Sequence, residues 1–315
     1  MHVRILDFDG SVSAQTNLVR DTDAAVCSAR DWGPGIRLAC GFSRYRGLER
    51  ALADRLGSTD DAAPAVTFLG SGDFHHVSLA LLRRLTRPFN LLILDKHPDW
   101  MRRVPLMHCG TWVNHAARLP LARRVFHVGG DLDFDNAYRW LAPWDLLNQG
   151  RITVLPAVRR YQRGRWASLK HEPLRSEPDV ALTFDRLEEL LTPYRTDLAR
   201  WPLYVSVDKD VLRPADAVVN WDSGYLELSE ATAVLQAFRR AAGDDLAGID
   251  LVGDWSPVVV QGILRRLLHW TEHPSLKVDA DDARWRNEQT NLALLAAVGV
   301  VESVRGARFL SKRAA

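Results

Sequence analysis

Cysteine is scarce. Three residues, Cys27, Cys40 and Cys109, are odd in number, widely separated and never spaced as a CxxC pair. That excludes a disulfide framework and a cysteine-ligated zinc site, and makes reduced thiols the expectation. Long apolar runs are also missing. No stretch is long enough to span a bilayer, and Asp7 and Asp9 interrupt the start where a secretory signal needs continuous apolar residues. A cytoplasmic protein with no membrane partner is expected. Charge of one sign is absent too, because 41 Lys and Arg against 39 Asp and Glu leave a formal charge of +2. A nucleic-acid partner is not indicated. There is no internal repeat, no low-complexity block and no stretch of linker composition, so residues 1–315 read as a single domain.

What is present is an ordinary globular composition, 47% hydrophobic and 25% charged, in a chain long enough to bury a full core. Short apolar runs alternate with helix-periodic segments. Strands are predicted at Val3 to Phe8, Ala65 to Leu69, Leu91 to Leu94, Val125 to Val128, Ile152 to Leu155, Leu203 to Val207 and Leu246 to Val252. Helices are predicted at Val77 to Leu85, Thr111 to Leu119, Phe184 to Leu191, Ser229 to Ala241, Val258 to Trp270 and Ala283 to Val298. This βα rhythm implies an α/β protein with a mostly parallel sheet covered on both faces. Leu169 to Pro178 reads as a polar loop, and Arg305 to Arg313 as a solvated tail or final strand.

Ligand-binding groups of parallel α/β proteins collect at the carboxyl ends of strands. Three polar clusters stand there. Asp95-Lys96-His97-Pro98-Asp99 follows one apolar run, Asp208-Lys209-Asp210 follows another, and Gly70-Ser71-Gly72-Asp73-Phe74-His75-His76 follows a third. If the backbone stays extended, Asp95, His97 and Asp99 share one face, and so do Asp208 and Asp210. Carboxylates crowded in this way repel unless cations neutralise them. A metal centre is expected. Oxygen and imidazole donors without thiolate suit Mn(II), with Fe(II), Co(II) or Zn(II) as alternatives. Two divalent ions against four aspartates, with one hydroxide between them, leave the site about one unit negative. A cationic substrate follows.

These residues carry a resemblance. Asp95 to Asp99 resembles the DxHxD motif of the ureohydrolases, the arginase and agmatinase family, and Ser206-Val207-Asp208-Lys209-Asp210 resembles their SxDxD motif. Gly70 to His76 is similar to their GGDHS segment, His108-Cys109-Gly110-Thr111 to the His-Gly that follows DxHxD, and Asn287 to Val298 to their last helix. The resemblance implies an arginase-like three-layer α/β/α sandwich, two Mn(II) ions, and hydrolysis of a guanidino group to urea and an amine. It implies Asp95, His97, Asp99, Asp208 and Asp210 as metal ligands. A histidine of the glycine-rich segment would complete the set, His75 in preference to His76, with the other contacting substrate. His108 is implied as the proton shuttle. The family's late glutamate has only a shifted counterpart in Asp254, which would orient the guanidinium or else cap a helix starting near Pro257.

Two departures bear on substrate. Arg213-Pro214 stands where the family has Asp-Pro, and Asn220-Trp221-Asp222-Ser223-Gly224 replaces its usual loop, placing Trp221 and Asp222 as candidate substrate contacts at the pocket mouth. These features resemble a divergent branch that includes peptide arginases, so an arginine residue of a precursor peptide, converted to ornithine, is a candidate substrate beside free guanidino compounds. The 11 Trp fit either an aromatic peptide groove or buried core. A homo-oligomer is left open by the sequence. Two other readings compete. A noncatalytic arginase-like protein would keep the metal and bind a partner. Alternatively Asp7-Phe8-Asp9-Gly10-Ser11 resembles the nucleophile motif of haloacid-dehalogenase-like phosphatases, with Asp7 as nucleophile and Asp9 as acid.

Overall fold

The computed structural model describes residues 1–57, 64–102, 104–130, 140–157, 184–272 and 277–301. The strands are β1 (His2–Asp7), β2 (Ala25–Ser28), β3 (Ala39–Cys40), β4 (Ala65–Gly70), β5 (Phe89–Leu94), β6 (Met107–His108), β7 (Ala122–Val128), β8 (Ile152–Leu155), β9 (Leu203–Asp208) and β10 (Leu246–Val252). Eight of them form one sheet in the order β2-β1-β4-β10-β9-β5-β7-β8, with every neighbouring pair parallel. The short β3 and β6 pair antiparallel, with Ala39 opposite His108. All seven predicted strands are present. The edge strand β2 was not legible, because Ala25, Val26 and Ser28 are exposed and the segment shows no apolar alternation.

The helices are α1 (Thr16–Thr22), α2 (Gly33–Ile36), α3 (Phe42–Leu56), α4 (Val77–Leu82), α5 (Trp112–Ala116), α6 (Trp144–Asn148), α7 (Phe184–Leu191), α8 (Arg195–Arg200), α9 (Leu228–Ala241), α10 (Ile263–Glu272) and α11 (Ala280–Ala297). They cover both faces. Alternate strand residues feed two cores: Leu92 and Leu94 pack with Leu18, Leu187, Val234 and Leu294 on one side, whereas Leu91 and Ile93 pack with Leu48, Leu52 and Val113 on the other. The result is the expected three-layer α/β/α arrangement around a parallel sheet.

Two expectations need correction. The helix predicted over Val258 to Trp270 begins only at Ile263, because three successive β-branched residues, Val258 to Val260, disfavour helix, and the Gln261 amide instead donates to the Pro34 carbonyl at 2.8 Å. Asp254 therefore caps no helix near Pro257. The charged helix α3 was missed, although Tyr45, Leu48 and Leu52 fall on one buried stripe. The loop at Leu169 to Pro178 and the tail at Arg305 to Arg313 lie outside the described residues. Among the described residues no helix is long and apolar enough to cross a membrane.

Candidate metal centre

The sheet order assembles the site. Although β9 and β10 come late in the chain, they sit between β4 and β5, so the segments leaving β4, β9 and β5 meet at one end of the sheet. His75 follows β4 through a 3₁₀ turn at Gly72–Phe74, Asp208 ends β9, Asp210 lies in the 3₁₀ turn Lys209–Val211, and Asp95 begins the loop after β5. All are buried. Gly253, which follows β10 with φ +89°, makes room for them: a Cβ there would come within 2.5 Å of Asp208 Oδ1.

Two sets of potential ligand atoms share Asp95. One comprises His75, Asp95 and Asp99, the other Asp95, His97 and Asp210, and within each set the atoms lie within 4.8 Å of one another. In the first, His75 Nδ1 is 3.1 Å from Asp95 Oδ2, 3.1 Å from an Asp99 oxygen and 3.5 Å from Asp208 Oδ2. In the second, His97 Nδ1 is 2.7 Å from Asp210 Oδ2. The expected extended alternation is not how Asp95 and Asp99 converge. The loop bends, and Asp99 adopts a left-handed φ of +48°, held by Trp112 Nε1, which donates to its Oδ2 at 2.9 Å.

Hydrogen bonding around His75 defines what the first set can hold. Ser206 Oγ donates to Asp250 Oδ1 at 2.7 Å and so accepts from His75 Nε2 at 2.9 Å, which leaves the Nδ1 lone pair facing three carboxylates. Nδ1 of His75 and Oδ2 of Asp95 are buried and neither is in hydrogen-bond alignment with a partner. Such a nest is stable only with a proton or a metal cation at its centre. The electrostatics agree. Burial lowers the His75 pKa, but Asp95 and Asp99 override it and raise it well above the ordinary imidazole value. Burial, followed by repulsion from Asp99 and Asp210, drives Asp95 well up; burial and Asp210 push Asp208 up to about 8. His97 is likewise raised despite its burial, chiefly by Asp210. These oxygen and imidazole donors fit divalent cations.

A supporting layer surrounds the set, and only part of it was anticipated. Ser78 Oγ joins Ser206 in donating to Asp250 Oδ1, at 2.9 Å. His127 Nε2 lies 2.8 Å from the His97 carbonyl, and burial lowers the pKa of this ring to about 4, so it stays neutral. Asp222 Oδ1 sits 3.0 Å from His97 Nε2, and its other oxygen accepts from Lys96 Nζ. Trp221 packs beside the His97 ring at 5.5 Å, with its indole N–H donating to Asp73 at 3.0 Å. Arg37, fully buried, pairs with the other Asp73 oxygen at 2.6 Å. Ser206 belongs to the SxDxD segment and was within reach of sequence reading. Trp112, His127 and Asp250 carried no local signal.

The remaining candidates separate. His76 does not join the cluster; it is fully buried, lies 6.1 Å from the Tyr45 ring and is held neutral by burial, with its pKa lowered to about 3. His108 caps the 3₁₀ turn Cys109–Thr111, accepting from the Gly110 amide through Nδ1 at 2.9 Å, so Nε2 is the nitrogen that carries hydrogen. Asp254 has one oxygen engaged and the other, Oδ2, buried without a hydrogen bond among the described residues. Its Oδ1 is taken by the buried Lys209 ammonium at 2.7 Å, by Gln15 Nε2 at 2.7 Å and by Asn291 Nδ2 at 3.2 Å, so that oxygen is committed to internal packing. Arg213 likewise serves structure, paired with Asp216 and Glu227. So do the motif residues near the start. Asp7 holds Arg30 and the Gly10 amide, while Asp9 accepts from Ser11, Ser71 and Ser256.

No family model matches the chain. A Thermotoga maritima protein described only as uncharacterized is 27% identical over 249 residues, covering 78% of this chain and 79% of its own. Among solved structures, arginase from Bacillus cereus superposes with a TM-score of 0.58 at 12% identity, covering 97% of this chain and 100% of that one. Proclavaminate amidino hydrolase from Streptomyces clavuligerus gives 0.55 at 16% identity, with 95% and 92% covered. Agmatine ureohydrolase of Thermoplasma volcanium gives 0.54 at 12% identity, with 95% and 89% covered. The chain has the α/β fold that these amidino-group hydrolases share.

Proposed function

We propose that the protein is a ureohydrolase that holds two manganese ions and cleaves a guanidino cation to urea and an amine. The observation that carries this reading is the pair of ligand sets, one buried and one with a half-buried His97, joined through Asp95. His75, Asp95, Asp99 and Asp208 would hold one ion; Asp95, His97 and Asp210 would hold the other. Bound there, the ions supply Lewis acidity and a water made nucleophilic near neutral pH.

The chain's own groups do the rest. Ser206, Trp112 and Asp222 fix the orientation of His75, Asp99 and His97. Trp221 and Asp222 stand at the mouth as an aromatic face and an ionised carboxylate, both suited to a guanidinium. The hydrogen bonds from His97 and Lys96 hold the Asp222 pKa well below the usual carboxylate range. Asp254, through a buried Oδ2 that makes no hydrogen bond among the described residues, and Asp222 at the mouth are the carboxylates that would orient the substrate. For His108 to protonate the departing amine, Nδ1 must release the Gly110 amide and take a second proton, so that the ring goes from imidazolium to neutral imidazole as Nε2 gives up its hydrogen.

The test is metal content and urea release. About two manganese ions per chain, and urea from at least one of arginine, agmatine or a peptide containing an internal arginine, are expected. A peptide-only response would assign the protein to peptide modification. Fully loaded protein that releases no urea from any of the three would leave the noncatalytic reading standing. His108→Ala is expected to lower kcat by about 10²-fold or more while manganese content stays unchanged.

A further inference from the structure

A cavity lies at the end of the sheet opposite the aspartate cluster. It has a volume of about 350 Å³ and opens where β1, β4, β10 and β9 begin, away from the carboxyl ends that carry the aspartates. Sequence register creates it. His2 pairs with Ala65, and Gly248 pairs with Tyr204, so two small residues separate two large ones at the start of four adjacent strands. A Cβ on Gly248 would come within 2.9 Å of the Tyr204 ring, so the ring keeps its place only over glycine.

The lining is cationic. Arg4, Arg84, Arg87 and His2 all contribute, and no carboxylate is among the lining residues. Arg4 is half-buried, yet its hydrogen bond is Nε to Thr67 Oγ1 at 2.7 Å, and it has no carboxylate partner among the described residues. Among the described residues Arg84 hydrogen-bonds only the Gly57 carbonyl, at 2.7 Å. Arg87 reaches Asp245, outside the cavity, at 3.4 Å. The groups oppose one another: burial first, then Arg84, lowers the Arg4 pKa, and burial together with Arg4 lowers that of His2. Guanidinium groups held together with no carboxylate among the described lining residues are costly unless an anion joins them.

We infer that this cavity is a binding site for a small dianion, either a phosphoryl group or a dicarboxylate. Planar guanidinium forks read both through paired N–H donors, and the volume matches a small metabolite. The inference is independent of the reaction proposed above, because none of the lining residues belongs to the metal cluster.

Titration of the manganese-loaded protein with inorganic phosphate and with succinate, followed by calorimetry at low ionic strength, tests it. Saturable binding of one anion per chain is expected. Arg4→Met and Arg84→Ala should each weaken it about tenfold or more, with manganese content unchanged. A response to phosphate alone identifies a phosphoryl ligand; a response to succinate alone identifies a dicarboxylate. Arg84 lies at the cavity wall outside the sheet, so its variant remains informative should Arg4→Met fold poorly. No saturable binding of either anion, or binding of unchanged strength in Arg84→Ala, overturns the inference.

Discussion

Asp95→Asn is expected to lower urea release by on the order of 10³-fold and to remove most bound manganese, because Asp95 is the one side chain common to both ligand sets. The same change should not weaken the metal-free fold. Asp95 is a buried carboxylate whose pKa stands well above the ordinary value, so its ionised form costs stability at neutral pH. A neutral amide of the same shape removes that cost. Thermal unfolding of metal-free protein is therefore expected at an equal or higher temperature in the variant, which separates loss of metal from loss of fold. A variant that keeps both manganese ions and its turnover would refute the shared-ligand arrangement. pH dependence follows from the same groups. In the metal-free site His75 retains its proton to well above the usual imidazole range, and Asp208 does so to about 8. Metal loading expels these protons, so manganese affinity should rise with pH through this range and fall below it.

Lys209→Met is expected to destabilise the protein by about 3–5 kcal/mol, the cost of stranding a buried carboxylate. Lys209 is fully buried, and its ammonium contacts Asp254 at 2.7 Å and Asn291 at 2.8 Å. Burial lowers its pKa, and Asp254 opposes that shift, so the charged pair depends on both members. Removing both charges in Lys209→Met with Asp254→Leu should recover most of the loss. Urea-induced unfolding of the two variants beside the parent measures this; single and double variants of equal stability would contradict the ion pair. The experiment also bears on substrate binding. Asp254→Asn is expected to raise KM by about tenfold or more in the folded fraction, because its Oδ2 makes no hydrogen bond among the described residues and is the oxygen left for the guanidinium; a change below about twofold would confine Asp254 to its pair with Lys209.

Much of the site was legible because metal chemistry demands particular atoms at particular spacings. DxHxD and SxDxD place carboxylates and imidazole within a few residues of strand ends, and such crowding has few explanations other than cations. The seven predicted strands were legible for a related reason: strands buried on both faces read as continuous apolar runs. What failed were arguments that extended a local rule beyond its element. Strand alternation was carried into Asp95 to Asp99, where the backbone bends and Asp99 turns left-handed. Nor could sequence position show that the groups claiming the Asp254 Oδ1, Lys209, Gln15 and Asn291, come from distant parts of the chain.

Composition and pattern alone determined that the chain folds as α/β layers around a parallel sheet, and marked its strand-end aspartates as candidate metal ligands. Tertiary structure decided which of them meet. Insertion of β10 and β9 between β4 and β5 brings His75 to Asp95, Asp99 and Asp208, and the direction of the Ser206 hydrogen bond turns the His75 lone pair toward them. The same tertiary packing placed His76 against Tyr45 and Asp254 against Lys209. The physical reason is one of range. Periodicity and charge crowding act within a few residues, whereas strand order and hydrogen-bond direction depend on groups brought together from distant parts of the chain.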